Sequence, residues 1–350
     1  MTNYDAILFL SFGGPEGMAD VMPFLENVLR GKNVPHARML EVAHHYERFE
    51  GVSPINGQNR RLIEALKQEL EKRSIKLPVY WGNRNWHPML ADTLKQMKAD
   101  GVKKALVFIT SAYSSYSGCR QYREDIEKAQ IEADSADIQF DKLRVFYNHP
   151  LFLEANIEAV KAGLEQFSEA DRKDLHVAFT AHSIPMTMAD NCDYVKQLTE
   201  TCELTSKALG LNNYKLVYQS RSGPPTQPWL EPDVLDHMRD LHGAGVRNVL
   251  LHPIGFISDH MEILYDLDTE AKELAHELQM QFVRTSTAGT NPKFARMMAD
   301  LVQERLESNN VAEKKAIGCF GPAPDVCAPG CCAYTPTRPA HAGAQRPQGT

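Results

Sequence analysis

The chain has 350 residues, 43% hydrophobic and 24% charged, a composition that fits one or two ordinary globular domains. A formal net charge of −7 with no long basic run argues against a nucleic-acid partner, which needs clustered Lys and Arg. No apolar run approaches the roughly 18 residues of a spanning helix, and MTNYDAILFLSFGG lacks the basic start and small-residue cleavage site of a signal peptide. A cytoplasmic protein is expected, with peripheral membrane contact left open.

In chain order, short apolar runs predict strands at 5–11, 78–82, 104–110, 142–147, 175–181, 214–219, 247–254 and 280–285. Helical patterns fall between them at 58–73, 88–100, 119–132, 151–167, 190–209, 231–243 and 261–278. Alternation of β and α with nearly unbroken apolar strands means a parallel sheet covered on both faces. LADTLKQMKADGVKKALVF (90–108) aligns with VLDHMRDLHGAGVRNVLLH (234–252), and DAILFLSFGGP (5–15) with LHVAFTAHSIP (175–185). All βα units share this outline. The sharper reading is two similar halves facing a cleft, with Phe12 and His182 at equivalent strand ends.

His182 stands where its strand ends, the place at which open α/β sheets bind ligands. An imidazole there can take a proton or meet a divalent metal. The segment HPIGFISDHMEILYDLD (252–268) is the second candidate. Asp259 would cap the following helix, and Glu262 in its first turn would favour the helix dipole. Asp266 and Glu270 continue the i, i+4, i+8 stripe, where like charges repel. A solvated acidic face is the plain explanation; a path for hydrated cations, which take oxygen ligands, is the sharper one.

Of seven cysteines, four lie within 319–332, a density that points to metal or cluster ligation. Residues 321–350 hold six prolines, and 333–350 read as a disordered tail.

TAHSIP (180–185) and PIGFISDHMEILYDLD (253–268) resemble the signature pair of the ferrochelatases. FLSFGGPEG, GVSPINGQNRRL, VYWGNRNWHP and YQSRSGPPTQPWLEPD extend the resemblance over about residues 4–306. It implies the chelatase fold: two Rossmann-like halves, each a parallel four-stranded sheet flanked by helices, around a porphyrin cleft. The halves would span 1–150 and 151–318, followed by a cysteine-rich extension at 319–332. The implied activity is insertion of Fe²⁺, the metal substrate, into a porphyrin in haem biosynthesis. The chain looks most like the actinobacterial-type branch, so coproporphyrin III is favoured. Protoporphyrin IX, or a cobalt or nickel tetrapyrrole chelatase of the same fold, is the alternative; a non-catalytic haem-binding module is a third reading. Handover of product to the next haem-pathway enzyme is a further implied partnership, and oligomeric state is not legible.

By the same resemblance, His182 is the cleft histidine that accepts pyrrole protons or meets iron, and Glu262 its carboxylate partner; Asp266 and Glu270 form the acidic row. Ser53, Tyr122, Phe12, Arg30, His45 and Tyr46 would line the porphyrin. Some members carry a tyrosine where this chain has Phe12, which cannot ligate iron. A 2Fe-2S cluster would be held by Cys119, Cys319, Cys327 and Cys332, with Cys331 competing for the last place. A zinc site from the same thiolates is the alternative, and Cys192 and Cys202 read as ordinary buried thiols.

Overall fold

The segment AILFLS carries no charge and is buried at all six positions in the computed structural model, which describes residues 4–31, 34–223, 226–307 and 314–334. It forms β1 (Ala6–Ser11), the second strand of a parallel sheet completed by β2 (Val79–Asn83), β3 (Lys104–Ile109) and β4 (Gln139–Lys142) in the order β2-β1-β3-β4. A second parallel sheet repeats this order as β6-β5-β7-β8, from β5 (Leu175–His182), β6 (Tyr214–Gln219), β7 (Asn248–His252) and β8 (Gln281–Arg284). The internal echo is therefore structural: the helix–strand unit of 90–109 recurs at 234–252 in the same sheet position.

Successive residues of a strand face opposite sides of its sheet, and each side needs cover. Ala6, Leu8 and Leu10 pack with Leu94, Met97 and Ile126 on one side. Ile7 and Phe9 join a larger cluster with Leu66 of helix Ile55–Lys72 and Phe294 of helix Pro292–Glu307. That cluster also takes in Val177, Phe179 and Leu250, so the two sheets share one core across their inner faces. The outer side of the second sheet is covered separately by Met238, Ile263 and Leu267.

One predicted strand is displaced. Of the run 142–147 only Lys142 pairs; the ladder takes the more polar 139–142 instead, and Leu143 N–H to Val107 O (2.9 Å) is its last bond. Beyond it Arg144 pairs with Glu304, and Phe146 stacks on Phe108 at 5.4 Å in the shared core. The predicted helix 261–278 is three pieces, Met261–Tyr265, a π-helical turn Asp266–Ala271, and Lys272–Glu277. A second π turn, Tyr116–Arg120, precedes helix Gln121–Glu132. Helices Met18–Leu29, His36–Glu47 and Pro292–Glu307 add to the predicted set. The expected tail at 333–350 lies, from 335 on, outside the described residues.

Candidate active site

In a sheet of order 2-1-3-4 the connections leave the first and third strands in opposite directions, opening a crevice at their carboxyl ends. In the second sheet those strands are β5 and β7, and the candidate residues sit there. β5 ends on His182. The Ser183 carbonyl can only accept, so His182 Nδ1–H donates to it (2.5 Å) and Nε2 is left facing Glu262, whose Oε2 lies 3.5 Å away. Glu262 is in the first turn of the helix after β7.

The cap of that helix is His260, whose Nδ1 accepts from Glu262 N–H (3.2 Å). Asp259, the expected cap, is engaged otherwise. Arg284 pairs with it at 3.2 Å, and Gln58 of the first half both accepts from its N–H (2.9 Å) and donates to its carboxylate (3.4 Å). The clasp fixes the loop carrying His260 against the first half.

The electrostatics follow from this packing. Burial works against charge on His182, but the Glu262 carboxylate opposite it, the Ser183 carbonyl and Asp266 outweigh that and hold its pKa above the ordinary histidine value. Burial likewise disfavours charge on Glu262, yet His182 and His260 hold it below the usual carboxylate range. The pair is thus imidazolium and carboxylate at neutral pH. Burial pushes Asp266 up to about 7, helped by Glu262 and Glu270 and opposed by the Ser220 hydroxyl that donates to it. Gln219 also donates to Asp266, at 3.3 Å. Glu270 is raised by burial, Asp233 and Glu273, with Arg48 opposing. The predicted row 262, 266, 270 survives, with its middle passing through the π turn, a departure frequent at functional sites.

The other wall comes from the first half. Phe12, directly after β1, is 36% exposed and meets Phe24 edge-on at 6.2 Å. Phe24 in turn touches Tyr46 (6.1 Å) and Trp86 (6.4 Å) edge-on, in a cluster that includes Met261. Tyr46 is buried, and burial together with the Glu262 charge raises its pKa. His45 stacks flat on Tyr265 at 3.6 Å. Helices Met18–Leu29 and His36–Glu47 thereby lie against the start of the acidic helix. Tyr122 is only 5% exposed, with the Arg84 guanidinium over its ring at 4.6 Å. Ser53 is buried beside Gly14, its N–H on Pro15 O (2.9 Å), and Arg30 is exposed and donates to Asn27 (2.5 Å). The structure therefore brings His182, Glu262 and Asp266 together, with Glu270 next to Asp266; Tyr46 lies within electrostatic reach of Glu262, His45 on Tyr265, and Phe12 on Phe24 of the same aromatic cluster. His260, Gln219, Ser220 and Gln58 were not among the predicted site residues. HPIGFISDH contains His260, but nothing in spacing marks the others.

Cys119, on the π turn Tyr116–Arg120, faces Cys327, which also meets Cys331; Cys331 and Cys332 sulfurs are 3.5 Å apart. Cys192, from the second half, lies within electrostatic reach of Cys331. Cys319 stands apart: its N–H donates to Glu200 (2.6 Å), and its thiol faces the same carboxylate. Among the described residues, no three or more His, Cys, Asp or Glu side chains are grouped so as to hold a metal ion, and no helix is long and apolar enough to cross a membrane.

Two parallel four-stranded sheets of this order, flanked by helices, are the chelatase fold. It is shared with sirohydrochlorin chelatase from Bacillus subtilis subspecies spizizenii in complex with cobalt (TM-score 0.51, 12% identity, 88% of this chain and 97% of that chain). The Bacillus subtilis protein with Fe³⁺ gives a TM-score of 0.52 at 12% identity over 86% of this chain and 95% of that chain. The sequence model of the ferrochelatase family matches residues 4–306. A ferrochelatase of Rhodopirellula baltica is 56% identical over 97% of this chain and 96% of its own. Coproporphyrin III ferrochelatases of Nocardia farcinica (50% identity; 97% and 99% covered) and Streptomyces coelicolor (47%; 98% and 97%) follow. This chain belongs to the ferrochelatase family.

Proposed function

We propose that this enzyme inserts Fe²⁺ into coproporphyrin III, with release of two protons, in the cytoplasm. The observation that carries the reading is the His182–Glu262 pair at the β5/β7 crevice with a carboxylate row leading from it. The choice of coproporphyrin III is supported by the names of the Nocardia and Streptomyces relatives.

Metallation replaces two pyrrole N–H protons by one divalent cation, so the site must accept protons and admit iron. At rest His182 is held protonated by Glu262 and is a poor base. A divalent cation arriving at Glu262 opposes the imidazolium, since a like charge disfavours the charged form. Nε2 then passes its proton to the Asp266 carboxylate and becomes free to take the two pyrrole protons one after the other, each handed on by the same route. Asp266, at about 7, is matched to receiving that proton near neutrality, and Glu270 continues the path outward. The row carries protons out in this account. Phe12, which has no ligating atom, supplies an apolar surface for the macrocycle.

A 2Fe-2S cluster takes four ligands, usually thiolates. Cys119, Cys327 and Cys332, with Cys331 beside Cys332, would supply thiols to such a cluster, but as they stand they are not grouped so as to hold a metal ion, and Cys319, the fourth expected ligand, is turned to Glu200. Such a cluster would supply a redox-active centre joining the 319–332 extension to the first half, 1–150, beside the second, 151–318.

The test is anaerobic Fe²⁺ insertion followed by absorbance, with coproporphyrin III and protoporphyrin IX in parallel. Higher kcat/KM on coproporphyrin III is expected; preference for protoporphyrin IX overturns the substrate, and no insertion into either overturns the activity.

A further inference from the structure

The β5–β7 ladder stops at Phe179–His252; β6 still pairs with β5 as far as His182, Gly255 N–H reaches the Thr180 carbonyl (3.0 Å), and side chains tie the two chain ends beyond the ladder as well. Two buried tyrosines reach them. Tyr113 follows β3 of the first half, is 1% exposed, and donates its hydroxyl to the Ile254 carbonyl at 2.9 Å, in the loop that leads to Glu262. Tyr194 opens helix Tyr194–Leu209 of the second half and donates to the carbonyl of His182 itself at 3.1 Å. The rings meet edge to face, centroids 6.1 Å apart at 87°. Their neighbours lock the arrangement: Gln197, one turn on from Tyr194, accepts from Ser114 N–H (2.7 Å) and donates to Ser114 Oγ (3.0 Å).

A buried phenol must find an acceptor, and a fixed aromatic ring aims its hydroxyl with only two side-chain torsions. Neither ring is exposed, so neither is placed to touch a porphyrin. We propose that Tyr113 and Tyr194 are positioning residues, a tyrosine pair that pins the ends of β5 and β7 and so sets the spacing of His182 to Glu262. The proposal rests on the reading that this pair carries the chemistry. It also explains why the loop after β3 of the first half is wedged between two strand ends of the second.

Tyr194→Phe removes one hydroxyl and keeps the ring. A displacement of about 1 Å at a reacting group can cost about 10²-fold in rate. The expected result is a kcat at least about tenfold lower with porphyrin KM unchanged, and a smaller kcat loss for Tyr113→Phe. Tyr147→Phe is the control: its ring lies 6.2 Å from Tyr113, but its hydroxyl meets Glu200, and kcat should stay at the wild-type value. An activity-independent readout is the NMR titration of the His182 ring. Its pKa should fall toward the ordinary value in Tyr194→Phe and stay put in Tyr147→Phe. Wild-type kcat with an unshifted His182 titration in Tyr194→Phe, or a lowered Tm alone, overturns the proposal. A wild-type enzyme that inserts no iron overturns the functional reading instead.

Discussion

Phe12 and His182 stand one residue past, and at the last residue of, equivalent strands in two sheets of identical order. One opens into aromatic rings, Phe24, Tyr46 and Trp86; the other into His260, Glu262 and Asp266. The backbone does the same thing twice, bringing a strand to its carboxyl end and turning away. Side chains at matched positions then differ in chemistry, and under the proposed function they would divide the labour between an apolar wall for a flat ring and a charged wall for protons. Had both walls been charged, desolvating them against a macrocycle would be costly; had both been apolar, nothing would receive the protons.

Changes on the charged wall should lower kcat, and changes on the apolar wall should raise KM. After His182 itself, the largest effect belongs to Glu262→Gln. It keeps the shape, removes the carboxylate at which the cation arrives, and should lower kcat about 10²-fold in steady-state insertion assays. Phe12→Ala should raise the porphyrin Kd about tenfold, about 1.4 kcal/mol, in fluorescence-quenching titrations, with kcat within about twofold of wild type. If Phe12→Ala instead acts mainly on kcat, the division of labour between the walls is wrong.

Asp266→Asn should act through pH. Wild-type kcat should rise through about pH 7 as Asp266 deprotonates and becomes able to receive a proton. The Asn variant should lose that limb of the profile, with a drop of several-fold at neutrality.

Smallest at neutral pH is a stability effect away from the cleft. Burial holds His149 and His252 at about 3 and His237 at about 4. Below the ordinary histidine value, the unfolded chain takes up protons that the folded chain refuses, so stability falls as pH falls. Thermal unfolding between pH 7 and 5 should show a declining midpoint and uptake of up to three protons, one for each of these residues.

Central strands and the main site residues were legible because they obey local rules. β1 and β5 are unbroken apolar runs, and His182 and Glu262 fall next to strand ends marked by Pro185 and by Pro253 with Gly255. β4 was not, since QFDK is an edge strand whose polarity outruns its pairing, while LRVFY looks like a strand and is spent on core packing around Phe294. Helix Met18–Leu29 carries Pro23 in its interior, which reads as a helix breaker, and helix His36–Glu47 has a weak apolar face. The π turn at Asp266, the Gln58–Asp259 clasp and the turning of Cys319 toward Glu200 depend on contacts from distant parts of the chain.

The most direct measurement compares wild type with His182→Ala in anaerobic Fe²⁺ insertion into coproporphyrin III, with porphyrin binding followed in the same samples. Wild type should form iron coproporphyrin, and His182→Ala should bind the porphyrin with near-normal affinity and insert iron at least about 10³-fold more slowly. Turnover at the wild-type rate in His182→Ala would contradict the account.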